Sequence, residues 1–310
     1  MPLYFLKRLM TLVPTMFVVV TLVFFLLRLI PGDPVDFILG ENALPSARQE
    51  LVKTYRFDRP VFEQYCLYLQ NLFKGNLGRS YFSEKPVNAK IRQRYGATLQ
   101  LAFASVLWAV VLSLPLGVLS AVKKNTLFDR LTLVFSLVGV SLPSFYLGPL
   151  LALLFSIHLD WFPLSGSDLP GSLFLPSITL GLGMAALLTR MTRASLIEVL
   201  SRDYIRTAMA KGLSPFKVVV KHALRTALIP LIAVLGLQFG TLLAGTVITE
   251  KIFSWPGLGS LMLESINQRD YALVQGCVLL IAFTYVVVNL LTDFFYMLVD
   301  PRLRLIKDQQ

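Results

Sequence analysis

Six stretches of this sequence are apolar over about 20 residues, the length that a helix needs to cross a lipid bilayer. The chain has 310 residues, of which 55% are hydrophobic and 15% charged, whereas about a quarter of the residues in soluble domains are charged. One water-soluble core could not bury so much apolar surface. We therefore predict an all-α integral membrane protein with six transmembrane helices, at approximately residues 9–30, 97–121, 131–157, 173–188, 226–249 and 273–298.

The first apolar stretch follows Lys7 and Arg8, as in a secretory signal peptide. Its apolar run from 9 to 27 exceeds the roughly 7–15 residues of a signal-peptide core, and no small-residue cleavage pattern follows it. We therefore predict an uncleaved first helix.

Prolines in later spans predict kinks, which membrane helices tolerate because neighbouring helices satisfy the freed backbone groups. These prolines are Pro115, Pro143, Pro149, Pro176 and Pro230.

Basic residues cluster on one side of the predicted spans and set the orientation of the chain. The short segments on that side hold Lys7, Arg8, Lys123, Lys124, Arg130, eight basic residues between 190 and 225, Arg302, Arg304 and Lys307. The short loops on the other side, 160–171 and 250–270, carry only Lys251 and Arg269. The positive-inside rule therefore places both termini in the cytoplasm.

The segment 31–96 is too polar to span the bilayer and is predicted to face outward. Ten basic and seven acidic residues nearly balance there. The formal net charge of +11 therefore reflects membrane topology rather than a surface for nucleic acid. The aromatic residues of this segment suit short helices on the membrane surface, either as a small lid at the outer mouth or as a plain extracellular connector.

The loop between the fourth and fifth spans, residues 190–225, is much longer than a connector between two helices needs to be. Ser201 or Asp203 is predicted to cap a short helix at residues 204–211, because a short polar side chain can accept a hydrogen bond from the first turn. Gly212 is predicted to end this helix in the left-handed conformation. The sequence thus places a short helix in the cytoplasm.

A second helix is predicted to begin at Ser214 and Pro215, with proline at the first helical position. The short helix would then be held between two membrane helices, and its small residues Ala208 and Ala210 would let another surface approach closely. Two interpretations follow. The helix could transmit force from a soluble partner, or it could rest on anionic lipid of the inner leaflet through its basic residues.

The sequence of this loop resembles the "EAA" loop of ABC importer permeases, in the form found in the peptide-importer branch. The matching runs are DYIRTAMAKGLS at 203–214 and HALRTALIP at 222–230, with arginine and threonine where the general family pattern has glutamate and alanine. Further blocks resemble the family in order along the chain: IPGDP at 30–34, GNLGRS at 75–80, IFSWPGLG at 252–259, RDY at 269–271, NLLTD at 289–293 and DPR at 300–302.

This resemblance implies the type I ABC importer permease fold and a "B"-type subunit of a dipeptide, oligopeptide, glutathione or nickel importer. The implied partners are a second homologous permease, two ATP-binding cassette subunits and an extracytoplasmic substrate-binding protein. The implied domains are 1–96, 97–298 and a cytoplasmic tail at 299–310. The ATPase would dock at a coupling loop formed by Asp203, Tyr204, Arg206, Thr207, Ala208, Lys211 and Gly212.

The sequence lacks the Gly-x-x-x-x-Gly-Lys-[Ser/Thr] loop that cradles nucleotide phosphates. We therefore expect that ATP and Mg are bound by partner subunits, and that this chain binds no cofactor and is not an enzyme. His158 and His222 lie far apart without neighbouring ligands, so no metal site is predicted. The expected location is the bacterial cytoplasmic membrane, with membrane lipid as a further partner.

Three polar residues in the predicted spans are candidates for a translocation path, because polar groups in a membrane usually face the bundle interior. They are Gln238, Asn289 and Asp293. Each could equally hold neighbouring helices together.

Two other functions compete with the importer permease. A secondary carrier or channel predicts a buried charge constellation or paired broken helices at mid-membrane, and the scarcity of intramembrane charges argues against ion coupling. A structural scaffold explains the topology but not the patterned inner loop.

Overall fold

The computed structural model describes residues 2–29, 34–39 and 44–299, and within these ranges the chain is almost entirely helical. The helices are α1 Pro2–Leu29, α2 Pro34–Leu39, α3 Pro45–Tyr55, α4 Val61–Phe73, α5 Val87–Val122, α6 Leu127–Ser141, α7 Ser144–Leu151, α8 Phe174–Leu200, α9 Asp203–Ala210, α10 Pro215–Lys217, α11 Leu224–Ile252, α12 Leu258–Asn267 and α13 Tyr271–Val299. Two π-helical stretches, Ala152–His158 and Val218–Ala223, extend α7 and join α10 to α11. The predicted blocks at 30–34 and 300–302 and the predicted tail lie mainly outside the described residues.

Five helical stretches are each long and apolar enough to cross a membrane: Met10–Leu29, Val87–Val122, Phe174–Leu200, Pro215–Leu243 and Tyr271–Phe294. The remaining predicted span, the third at 131–157, is broken, as its prolines predict. It is a pair of helical segments, Leu127–Ser141 and Ser144–His158, that bend by 108°. The described residues therefore contain six spans if this bent pair counts as one. The fold class is confirmed as an all-α membrane protein, and the kink predicted from the prolines of the third span is present as this break.

The break in the third span occurs at Pro143. Proline lacks the N–H that would continue the helix, and its ring disfavours helical geometry at the preceding residue. Leu142 is accordingly extended, with ψ of 114°. Pro115 and Pro230 instead remain inside α5 and α11. The sequence predicted kinks without telling which proline ends a helix.

The chain divides into two compact units. One contains Pro2–Thr98 and Pro256–Thr284. The other contains residues 99–255 together with the part of α13 from residue 285 onward. The segment that follows the fifth span therefore belongs with the N-terminal residues, a grouping that no linear division of the sequence indicates.

The unit formed by 2–98 and 256–284 has its core where α5, α12 and α13 meet. Val87 and Ile91 of α5 pack with Leu258, Leu273 and Cys277. Polar contacts reinforce this core, since the Thr98 hydroxyl accepts a hydrogen bond of 2.7 Å from the Leu258 N–H and the buried Ser80 hydroxyl donates to Asp270. The loop at 75–86 is therefore anchored to the start of α13.

The unit formed by 99–255 and 285–299 is organised around α8, which packs against α6 and α11. The interior of α8 is rich in small and hydroxyl residues, which let membrane helices approach closely. At Gly181, an added Cβ would lie only 2.8 Å from the Ser105 carbonyl oxygen. At Gly117, it would lie 2.5 Å from Thr192. Close backbone packing thus fixes α8, whose C-terminal end leads directly into the loop that contains α9.

Candidate functional site

The predicted cytoplasmic helix is present as α9, and the structure corrects how it begins. Its N-cap residue is Arg202, which makes no side-chain capping hydrogen bond. The Ser201 hydroxyl donates instead to the carbonyl of Glu198, 2.7 Å away in the preceding helix. Asp203 is the first helical residue, where its negative charge favours the positive end of the helix dipole. The predicted cap by Ser201 or Asp203 was therefore wrong.

The end of α9 confirms the prediction for Gly212. Its φ is +79°, in the left-handed region that favours glycine. The Gly212 N–H donates to the Met209 carbonyl at 2.9 Å, and the Leu213 N–H donates to the Ala208 carbonyl at 3.4 Å. This pair of bonds is a Schellman motif, which stops the helix sharply and turns the chain.

The second helix begins as predicted, with Pro215 at its first position. Ser214 occupies the N-cap in an extended conformation, although its hydroxyl makes no capping bond. Only three residues of α10 precede the π-helical stretch Val218–Ala223, which runs into α11. The short helix α9 is therefore tied directly to membrane helices at both ends, α8 before it and α11 after it.

One face of α9 is buried against the chain itself. Ile205 is completely buried and Ala208 is 9% exposed, and both belong to an apolar cluster formed by the ends of α5, α8 and α11. The cluster also contains Ala121, Leu196, Val199, Val218, Ala223 and Ala227. Ala208 was predicted to let another surface approach. The surface that approaches Ala208 belongs to the chain itself, at the ends of α5, α8 and α11, and a coupling role for Ala208 stays a prediction.

A hydrogen bond adds to this attachment. The Tyr204 hydroxyl donates to the Thr226 hydroxyl of α11 at 3.2 Å. Nearby, the Ser195 hydroxyl of α8 donates to the Ala227 carbonyl at 3.1 Å. Since apolar packing and hydrogen bonds both join α9 to membrane helices, a displacement of α9 would be carried into α8 and α11.

The opposite face of α9 is exposed and carries Arg206, Thr207 and Lys211 of the predicted coupling residues, together with Ala210. Arg206 and Asp203 are 3.7 Å apart, but both are largely exposed, and such pairs contribute little to stability. Their side chains are therefore available to a partner.

Apolar side chains continue this exposed surface into α10. Met209, Leu213 and Phe216 are all exposed, Phe216 by 75%. Large apolar groups beside basic residues are typical of protein interfaces rather than of a plain solvated loop. We call the exposed side chains of 203–217 the coupling surface.

A buried ion pair that sequence reasoning missed braces the same end of the molecule. The Asp129 carboxylate is only 2% exposed, and it accepts hydrogen bonds from Arg193 Nε at 2.6 Å and Arg193 Nη2 at 2.8 Å. The Ser120 hydroxyl and the Asn125 N–H also donate to it. Asp129 therefore fastens the turn between α5 and α6 to α8.

A local sequence signal for this site existed. Thr126-x-x-Asp129 has the spacing of a capping box, and the Thr126 hydroxyl does cap α6 by accepting from the Asp129 N–H. The partner Arg193 lies 64 residues away, so no local pattern could name it.

The three candidates for a translocation path lie in two helices of one unit. Gln238 is partly buried in α11, and its carbonyl oxygen accepts a bond of 2.8 Å from the Thr241 hydroxyl. Asn289 and Asp293 are partly buried one turn apart in α13. The two helices are close, because an added Cβ at Gly240 would lie 2.2 Å from the Tyr285 ring. A path along these residues stays a prediction.

The described residues thus form a helical protein with several membrane-length helices, in which the short helix α9 packs against the ends of α5, α8 and α11. Residues 113–305 match the family "Binding-protein-dependent transport system inner membrane component", and residues 1–102 match its N-terminal companion, "Binding-prot-dependent transport system membrane comp, N-term". The chain belongs to this family and is a permease subunit of a binding-protein-dependent ABC importer.

Relatives and solved structures agree with this assignment. The chain is 42% identical over 301 residues to glutathione transport system permease proteins GsiC of Escherichia coli and Pectobacterium atrosepticum, covering 97% of this chain and 98% of each relative. Its fold is similar to that of a chain in an inward-facing structure of the MetNI methionine ABC transporter, with a TM-score of 0.57 and 20% identity. That match covers 68% of this chain and 96% of the other. The predicted importer permease fold is thus confirmed.

Proposed function

We propose that this permease moves small peptides, with di- and oligopeptides and glutathione as the cargo class, into the cell on ATP hydrolysis by partner subunits. The observation that carries the cargo class is the 42% identity to glutathione permeases over 97% of the chain. Because the match runs along nearly the whole chain, it includes the membrane spans as well as the loops of the glutathione permeases. Family membership also favours the importer over the carrier or channel that the sequence left open.

The subunits proposed to work with this chain are a second homologous permease, two ATP-binding cassette subunits and an extracytoplasmic binding protein. ATP and Mg would be bound by the cassette subunits, because the sequence has no phosphate-cradling Gly-x-x-x-x-Gly-Lys-[Ser/Thr] motif. This chain would then be a translocation subunit without ATPase activity of its own.

The coupling surface is proposed as the place where a cassette subunit docks. Arg206, Thr207 and Lys211 would face that subunit, since they are exposed on α9. Tyr204 and Ala208 would not contact the cassette subunit but would attach α9 to the membrane helices. Gly212 would end α9 sharply. Asp203 would favour the helix start. Docking and anchoring thus fall to opposite faces of one helix.

The cargo is tested by uptake into proteoliposomes that hold the complete importer with its binding protein. We expect ATP-dependent accumulation of labelled dipeptide or glutathione, and no ATP hydrolysis by this chain purified alone. Accumulation of neither peptide while the cassette subunits hydrolyse ATP would reject the cargo class. ATP turnover by the lone chain would reject the division of labour.

The proposed orientation has both termini and the inner loop in the cytoplasm, with lipid of the bacterial inner membrane around the spans. The charge pattern of the loops supports it. In a Cys66→Ser/Cys277→Ser background, Ser214→Cys should resist a membrane-impermeant thiol reagent added to intact cells, whereas Ser165→Cys should react, because both positions are exposed but lie in opposite loops. Labelling of the Ser214→Cys variant from outside would reverse the topology.

A further inference from the structure

A polar cavity of about 450 Å³ lies within the unit formed by 2–98 and 256–284. Its walls come from the end of α1, the facing sides of α3 and α4, the loop at 74–81 and the first turns of α13. This volume falls in the range of roughly 300–1,000 Å³ typical of pockets for small molecules. None of the residues assigned to the coupling surface or to the predicted path contributes to it.

The cavity is strongly basic. Four cationic side chains line it, namely Arg28, Arg56, Lys74 and Arg79, and among the described residues that line it none is Asp or Glu. Acidic residues lie near its walls, but Asp270 is bonded to the Ser80 hydroxyl and the Leu273 N–H, and Glu63 pairs with Arg59. Burial, together with the charges of Glu84 and Asp270, raises the pKa of Tyr55. A cavity lined by one sign of charge concentrates solutes of the opposite sign.

Arg28 is held in place at the floor of the cavity. Its guanidinium donates to the Gln64 side-chain oxygen at 2.8 Å and to the Phe24 carbonyl at 3.0 Å, and lies 3.4 Å over the Phe24 ring. These contacts use two of the five N–H groups of the guanidinium and none of them is with a carboxylate. A positioned guanidinium with spare donors is suited to binding an anion.

A buried amide faces the same space. Gln275 of α13 is only 7% exposed, and its side chain makes no hydrogen bond to any residue in the part of the chain that the structure describes. Buried polar side chains are nearly always paired. The small exposed part of Gln275 opens into the cavity, so the amide is available to a molecule bound there.

Tyrosines supply further donors. Tyr55 and Tyr81 lie edge to face with ring centroids 4.7 Å apart in the wall, and Tyr68 stacks on Phe24. Burial raises the pKa of Tyr68 to about 12 and raises the pKa of Tyr81 well above its usual value. Their hydroxyls are protonated at neutral pH, as in any tyrosine, and can donate to an anion without opposing its charge.

We propose that this cavity binds a small solute with a free carboxylate, and that this solute is the peptide cargo on the side of the membrane predicted to face outward. The proposal rests on the proposed function for the identity of the cargo. Polar groups line the cavity both where its residues are exposed, at Lys74 and Arg56, and where they are partly or fully buried, at Arg28 and Gln275. This distribution suits a peptide with polar groups along its length better than a lipid, whose acyl chains would meet a polar floor.

The test is equilibrium binding of labelled glutathione to the importer complex in nanodiscs, without the binding protein. We expect Lys74→Gln and Gln275→Leu each to raise the Kd by about three- to tenfold, the effect of losing one charge-assisted or buried hydrogen bond. Lys53→Gln is the matched control, because Lys53 is an exposed cation of α3 that does not line the cavity. Glutathione dimethyl ester should bind weakly and respond to none of the variants.

Four outcomes would overturn the proposal: no binding by the wild-type complex, equal Kd values in all variants, an equal response of the dimethyl ester, or a dependence on phosphatidylglycerol rather than on the carboxylate of the peptide. The last outcome would mark a lipid-headgroup site. Transport is scored separately. Glutathione binding that depends on Lys74, without glutathione uptake, would reject the proposed function and keep the binding site. Uptake of glutathione, with equal binding by both variants and the wild type, would keep the proposed function and reject the site.

Discussion

Replacing Asp129 with leucine should lower the free energy of unfolding of this permease by about 3–5 kcal/mol, the usual cost of removing one partner of a buried ion pair. The carboxylate is 2% exposed and Arg193 is 19% exposed. Loss of Asp129 leaves the guanidinium, the Ser120 hydroxyl and the Asn125 N–H without their acceptor. The turn between α5 and α6 would then detach from α8. Unfolding in detergent, followed by tryptophan fluorescence or by gel filtration after heating, measures the effect.

The double variant Asp129→Leu/Arg193→Met should recover much of this loss, because replacing both partners of a buried pair by apolar residues is often nearly neutral. The comparison of single and double variants isolates the pair itself. Glu198→Ala is the control, since its pair with Arg202 lies at the surface and should contribute less than about 1 kcal/mol. An Asp129→Leu loss no larger than that of Glu198→Ala would show that the pair is not a brace.

The hydropathy of the sequence predicted the all-α membrane fold. It also predicted each apolar stretch that the structure contains as a candidate membrane span. Both predictions succeeded because the cost of leaving backbone polar groups unsatisfied in lipid makes helices obligatory there. The stop at Gly212 and the start at Pro215 were predictable for a similar reason. Each depends on the intrinsic geometry of one residue, not on its surroundings.

Features that depend on distant contacts could not be predicted. Ser201 and Asp203 both fit a cap chemically, but the Ser201 hydroxyl is used by Glu198 in the preceding helix. Ala208 is small whether it faces a partner or the chain, and only the packing of the inner ends of the spans decides between them. The cationic cavity gathers Arg28, Lys74 and Gln275 from separate parts of the chain.

Gly212→Asp should uncouple ATP hydrolysis from transport while leaving membrane insertion intact. At φ of +79° an L side chain costs about 1–2 kcal/mol, and relief of that strain would reopen the Schellman motif that sets the direction of α9. The coupling surface would then meet a cassette subunit at the wrong angle. We expect peptide uptake to fall about tenfold or more while the assembled complex keeps most of its ATPase activity. Both rates are measured on one proteoliposome preparation.

Gly166→Asp is the matched control for this experiment. Gly166 has φ of +89° and, like Gly212, would place an added Cβ in open space, so the two substitutions carry the same strain and the same charge. Gly166 lies in the loop predicted to face outward, away from the cassette subunits. Uptake should therefore survive the change at Gly166. Equal losses at both positions would mean that strain and charge alone impair the permease, and would remove the coupling role from Gly212.

Ala208→Trp tests the buried face of the same helix. An indole cannot enter the cluster that surrounds Ala208 without pushing α9 away from the ends of α5, α8 and α11. The exposed face keeps its residues, so cassette subunits should still co-purify with the variant while uptake is lost.

Phe216→Asp alters only the exposed face and should weaken co-purification of the cassette subunits instead. If both variants bind the cassette subunits and transport peptide normally, α9 does not transmit the force. The opposite pattern, with binding lost only for Ala208→Trp, would reverse the assignment of the two faces.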